Sequence, residues 1–104
     1  MIAMNQELFN QHIHSGEYTL VDFWAPWCVY CRRIAPALDK LAQEQEGNVV
    51  VGKINIDDHP QLAHQEGIEV IPTLLLYKDG NVVGSIVAPE SKAAMEAFLQ
   101  EHIR

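Results

Sequence analysis

The sequence predicts an α/β protein, a mixed sheet with helices on both faces, and three observations predict it. Tyr18-Thr-Leu-Val-Asp-Phe-Trp24 is a nearly continuous apolar run, the pattern of a strand buried on both faces. A helical stretch follows it and a second apolar run, Val49–Ile56, follows that; strand–helix–strand implies parallel pairing. Further on, Lys78-Asp-Gly-Asn81 lies between the apolar runs Thr73–Tyr77 and Val82–Ile86, and an Asp-Gly there signals an antiparallel hairpin.

The elements follow in order. Only Met1–Met4 is left to form a first strand, so that strand must be short. Asn5 to His14 reads as a helix with Phe9 and Ile13 on one face and Gly16 just past its end. After Tyr18–Trp24, a long helix is expected from about Cys28 to about Glu46. Ile34, Leu38, Leu41 and Ala42 recur there at helical spacing, and Gly47-Asn48 stops it. Pro36 lies inside this helix, removes its bond to the Arg32 carbonyl and predicts a kink. Asp58-His59-Pro60 opens a short helix that Gly67 closes. Ser91 to about Ile103 is a last amphipathic helix, with Met95, Phe98 and Leu99 turned inward.

At 104 residues and 48% apolar content, one domain over 1–104 is expected, with a core that needs no disulfide staples. The net charge of −7 and the single adjacent basic pair, Arg32-Arg33, exclude a phosphate-binding stripe, so nucleic acid is not an expected partner. Lys40, Lys53, Lys78, Lys92 and Arg104 are scattered. No segment approaches the roughly 20 apolar residues of a membrane span. The opening Met1-Ile-Ala-Met4 lacks the basic, then apolar, pattern of a signal peptide. A cytoplasmic protein, monomeric by default, is the expectation.

Chemistry concentrates in Trp27-Cys28-Val29-Tyr30-Cys31, which holds both cysteines of the chain. Such a pair can close as a disulfide and reopen as a dithiol, and a strand–turn–helix setting marks a redox site. Cys28 is the candidate nucleophile, since free N–H groups at a helix start favour a thiolate. Cys31, one turn on, suits the resolving role. Asp22 is the one charge in the buried run. Desolvation would raise its pKa, so it could take a proton from Cys31 through a water. A static disulfide or half of a zinc site are the other readings of the pair. His12, His14, His59, His64 and His102 show no ligand spacing and are expected at the surface, and no metal is expected.

Together these residues resemble the thioredoxin family, over nearly the whole chain. The likeness rests on Val21-Asp-Phe-Trp-Ala-Pro-Trp-Cys-Val-Tyr-Cys31, Ile34-Ala-Pro36, Lys53-Ile-Asn-Ile-Asp57, Ile71-Pro-Thr-Leu-Leu-Leu-Tyr-Lys-Asp-Gly80 and Gly84. The resemblance implies the thioredoxin fold, a five-stranded mixed sheet flanked by four helices, and disulfide reductase activity on protein substrates. It implies Lys53 near the Asp22 carboxylate and Asp57 close to Trp24. It makes Pro72 a cis-proline facing the disulfide, with the Ile71 backbone pairing the substrate chain. It further implies re-reduction by a flavin- and NADPH-dependent thioredoxin reductase, and no cofactor bound by the chain itself.

The chain departs from the family pattern twice. Val29-Tyr30 replaces the usual Gly-Pro between the cysteines. Tyr30 thereby restores an N–H near the Cys28 sulfur, which would stabilise the thiolate and make the couple less reducing. Its tyrosine resembles that of glutaredoxin's Cys-Pro-Tyr-Cys, though the rest of the chain does not. Val87-Ala88-Pro89 stands where the family tends to have Val-Gly-Ala, beside the docking surface. The competing function is a non-catalytic docking module using Trp27, Tyr30, Ile71 and Val87 as an apolar patch. Within redox chemistry, a disulfide oxidase or isomerase is the alternative to a reductase.

Overall fold

The computed structural model describes residues 1–103; Arg104, one of the scattered cations, lies outside them. The chain runs β1 (Ile2–Ala3), α1 (Gln6–Ile13), β2 (Tyr18–Trp24), α2 (Val29–Glu44), β3 (Val49–Asn55), α3 (Pro60–Gln65), β4 (Thr73–Lys78), β5 (Asn81–Val87), α4 (Lys92–His102). The five strands form one sheet in the order β1-β3-β2-β4-β5. β3 is parallel to both β1 and β2, whereas β4 is antiparallel to β2 and β5. This is the mixed sheet expected, and four helices accompany it among the described residues.

The unbroken apolar run of β2 is explained by its central place. Leu20 faces a core built with Ile34, Leu38 and Leu41 of α2 and Met95, Phe98 and Leu99 of α4. Val21 and Phe23 face the other, built with Phe9 and Ile13 of α1 and Leu62 of α3. The period of two along a strand puts Asp22 on the same face as Leu20, toward α2. The Lys92 ammonium binds the Glu44 carboxylate at 2.6 Å and joins α4 to α2.

Helix ends fall where caps are available. The Asn5 side chain accepts from Leu8 N–H, and the Ser91 side chain from Ala94 N–H. α2 ends two residues before the expected Glu46, where the Glu46 N–H turns to the Gln43 carbonyl three residues back instead of continuing the four-residue pattern. Pro36 stands within α2 without ending it. Asp79 and Gly80 take φ of 52° and 82°, the paired positive values of a two-residue hairpin turn, and Gly80 N–H donates to the Ile13 carbonyl. Gly84 lets α4 approach β5: a Cβ there would come within 2.7 Å of the His102 ring. His102, expected at the surface, is half-buried, its ring 4.5 Å from that of Phe98.

The sheet gathers the site at one end of its strands. Asp22 lies beside Lys53 on β3, while Phe23 pairs with Thr73, which pairs in turn with Val87. The end of β2, the start of β4 and the end of β5 therefore meet where α2 begins.

Candidate active site

Cys28 is the N-cap of α2, with extended backbone, and its sulfur accepts the Cys31 N–H at 3.1 Å. The two cysteines are joined as a disulfide, with Cα atoms 5.2 Å apart. Both are buried, Cys28 at 8% exposure and Cys31 at 3%, so Cys28 is the sulfur nearer to solvent. The first turn of α2 presents unpaired N–H groups and the positive end of the helix dipole to that sulfur. The donor that reaches it is the Cys31 N–H, where the sequence pointed to Tyr30; the Tyr30 N–H belongs to the same first-turn set.

The Ile71–Pro72 peptide is cis, as the resemblance implied, and the Ile71 carbonyl lies 4.0 Å from the Cys28 sulfur. Pro72 is buried, and Ile71 is half-buried against the cysteine turn. Around the pair runs an apolar rim: Trp27 is 64% exposed, Val29 57% and Val87 51%. Trp27 and Val87, with Ile71, are residues that the sequence assigned to docking; Val29, read there only as a departure between the cysteines, joins them on the rim.

Asp22 is buried beneath the pair, and its Oδ1 has no hydrogen-bond partner. Burial pushes its carboxyl from an ordinary 3.8 up to about 7, against the smaller opposing pull of the Lys53 ammonium. A cavity of about 180 Å³ adjoins it, lined by Trp24, Cys31, Ala35 and Lys53 among others, and is large enough to admit water. Asp22 and Cys31 thus border one space through which a proton can pass. Lys53 also lies over the Trp24 ring, 5.4 Å from its centroid, a cation–π contact that fixes the ammonium near Asp22.

Asp57 follows Ile56, whose N–H donates to the Trp24 carbonyl at 2.9 Å, but its carboxylate accepts from a different indole: Trp27 Nε1 donates to it at 3.2 Å. That bond holds the exposed Trp27 ring in place. Two contacts escaped sequence reasoning. The Tyr30 hydroxyl donates to the Pro89 carbonyl at 3.3 Å, and Ala88, at a φ of 46°, donates its N–H to the Pro72 carbonyl at 2.9 Å. The family's glycine at the Ala88 position was the clue to the second, since glycine marks places where φ is positive.

Among the described residues, no three His, Cys, Asp or Glu side chains cluster closely enough to hold a metal ion. Nor is any described helix long and apolar enough to cross a membrane.

A capped cysteine that can form and break one disulfide, on a strand–turn–helix bend, places the chain among thiol–disulfide oxidoreductases. Comparison with known proteins narrows this. The thioredoxin family model matches residues 1–101. The chain is 46% identical to Thioredoxin 1 of Nostoc sp. over 96 residues, 91% of this chain and 90% of that one. It is 41% identical to Thioredoxin 1 of Synechococcus elongatus over 102 residues, 97% of this chain and 95% of that one. With the thioredoxin of Porphyra purpurea it shares 40% identity over 101 residues, 97% of this chain and 91% of the relative. The chain belongs to the thioredoxin family and is a protein-disulfide reductase by that membership. The family implies disulfide-containing protein substrates and a partner reductase.

Proposed function

We propose that Cys28 attacks, Cys31 resolves and Asp22 manages the proton in the reduction of protein disulfides. The Cys28 thiolate attacks one sulfur of the substrate disulfide, forming a mixed disulfide and releasing the other sulfur as a thiolate. Cys31 gives its thiol proton to Asp22 through water, attacks the Cys28 sulfur and releases the second substrate sulfur. The protein is left as the Cys28–Cys31 disulfide, two electrons poorer. An NADPH-dependent thioredoxin reductase returns those electrons, so no cofactor need be bound by the chain. Lys53 limits the rise in the Asp22 pKa, and Trp27, Ile71, Pro72, Val87 and Ala88 receive the substrate chain. The chain acts as a monomer in the cytoplasm.

The observation that carries this reading is the capping bond from Cys31 N–H to the Cys28 sulfur, which singles out the sulfur that the helix end stabilises. Val29-Tyr30 in place of Gly-Pro leaves one more N–H in the first turn of α2. It supports a less reducing couple than the family's usual one, and keeps the oxidase or isomerase reading as the second choice.

NADPH-driven reduction of insulin disulfides, with a thioredoxin reductase or with glutathione as donor, tests the function. Turnover with the reductase is expected. Cys28→Ser should abolish it, while Cys31→Ser should accumulate a mixed disulfide through Cys28. A mixed disulfide captured by Cys31 in the Cys28→Ser variant, with none captured by Cys28, would reverse the assignment. A wild type without turnover, whose partner binding survives both substitutions, would leave only the docking module.

A further inference from the structure

We propose that Tyr30 is a positioning residue: its hydroxyl latches the β5–α4 loop and holds Ala88 in a left-handed backbone conformation beside Pro72. The inference rests on the reading that Val87 and Ala88 receive the partner chain. It gives Tyr30 a role separate from any effect of its N–H on the sulfur.

Ala88 has a φ of 46°, a region that L side chains rarely adopt, and it persists only where neighbours over-determine it. Two tethers do so. Ala88 N–H donates to the Pro72 carbonyl at 2.9 Å, and the Tyr30 hydroxyl donates to the carbonyl of the next residue, Pro89, at 3.3 Å. One tether comes from the cis-proline turn and the other from the first turn of α2.

The Tyr30 ring is half-buried and packs against both the α2–α4 core and the cysteine turn, so its hydroxyl is presented from a fixed base. Pro89 is buried and its own φ is confined by its ring, which leaves Ala88 as the residue that must bend. Val87, 51% exposed, immediately precedes this bend, so its placement on the rim depends on the latch. A rim ordered before the partner arrives saves the ordering cost on binding. The two departures from the family pattern are therefore in contact, and act as one device.

Tyr30→Phe removes the hydroxyl and keeps both the ring and the N–H. A neutral hydrogen bond contributes about fivefold in an equilibrium of this kind. In insulin reduction, KM should rise by about that factor while kcat and the redox potential against glutathione stay fixed. Reduction of a small aromatic disulfide, which does not span the rim, should be unaffected. Adding Ala88→Gly to Tyr30→Phe should recover part of the loss, because glycine holds a positive φ without help. Hydrogen exchange at the Ala88 amide should quicken about fivefold in Tyr30→Phe. Unchanged exchange overturns the latch whether or not the protein reduces insulin. An unchanged KM, or a potential that moves with kcat, overturns it as well. If the wild type reduces no protein disulfide while exchange quickens, the latch stands and the docking reading falls.

Discussion

Asp22 carries an ionisable carboxyl into the interior, where its buried Oδ1 has no hydrogen-bond partner and a small cavity shared with Cys31 adjoins it. Its pKa of about 7, against an ordinary 3.8, is a statement about stability as well as catalysis. At pH below 4 the group is protonated in both the folded and the unfolded chain, and contributes no difference. As pH rises from about 4 to about 7, the unfolded chain loses the proton and the folded one keeps it, so stability falls by about 4 kcal/mol. Above pH 7 both are ionised and the loss is complete. Asp22→Asn should remove this slope from urea-unfolding midpoints measured between pH 4 and pH 8. Parallel profiles for the two proteins would show that Asp22 is not desolvated as described. The same substitution should slow resolution of the mixed disulfide by about a hundredfold, the low end for loss of a general base. Asp22 was legible in the sequence because a lone charge among buried apolar neighbours costs stability unless it is used. Tyr30 as a latch was not, because its acceptor lies 59 residues away and is a backbone carbonyl, a group that every residue carries.

At the scale of elements, α2 decides the chemistry through its first turn. A helix start without proline between the cysteines offers one donor more to a sulfur anion, and about 30 mV corresponds to a tenfold change in the exchange equilibrium. Tyr30→Pro should therefore make the couple more reducing by tens of millivolts when equilibrated with glutathione buffers. A potential equal to or above that of the wild type would refute the tuning role. Elements buried on both faces were the most readable. β2 spans Tyr18–Trp24 as the apolar run indicated, since a central strand writes its burial into every residue. Helix ends were less so: Gly47 marked the stop of α2, but the helical bonding pattern already breaks at Glu46, whose N–H turns to the Gln43 carbonyl.

As a whole, the molecule is a sheet separating two apolar cores, with the reactive residues confined to one end of its strands. The parallel β2–β3 pair and the antiparallel β4–β5 pair followed from the strand–helix–strand unit and the hairpin, both of which are local patterns, whereas the β2–β4 pairing that sets the strand order did not. The meeting of Pro72, Val87 and Cys28 was foreseen only through family likeness, because it depends on long-range register. A net charge of −7 in 104 residues makes copies repel, while the outer strand β5 exposes Val82 and Val83. Sedimentation equilibrium at low salt should return the monomer mass of 11.7 kDa, and the same value at about 1 M salt, where repulsion is screened. A species of twice that mass at low salt would overturn the monomer. The bond from Cys31 N–H to the Cys28 sulfur ties electron transfer to backbone structure. The atom that gains and loses electrons is also the cap that starts the molecule's longest helix. Reduction replaces a neutral acceptor by an anionic one at the positive end of the dipole. In the proposed cycle each turnover would tighten and slacken the beginning of α2, so that the helix itself would register the redox state of the protein.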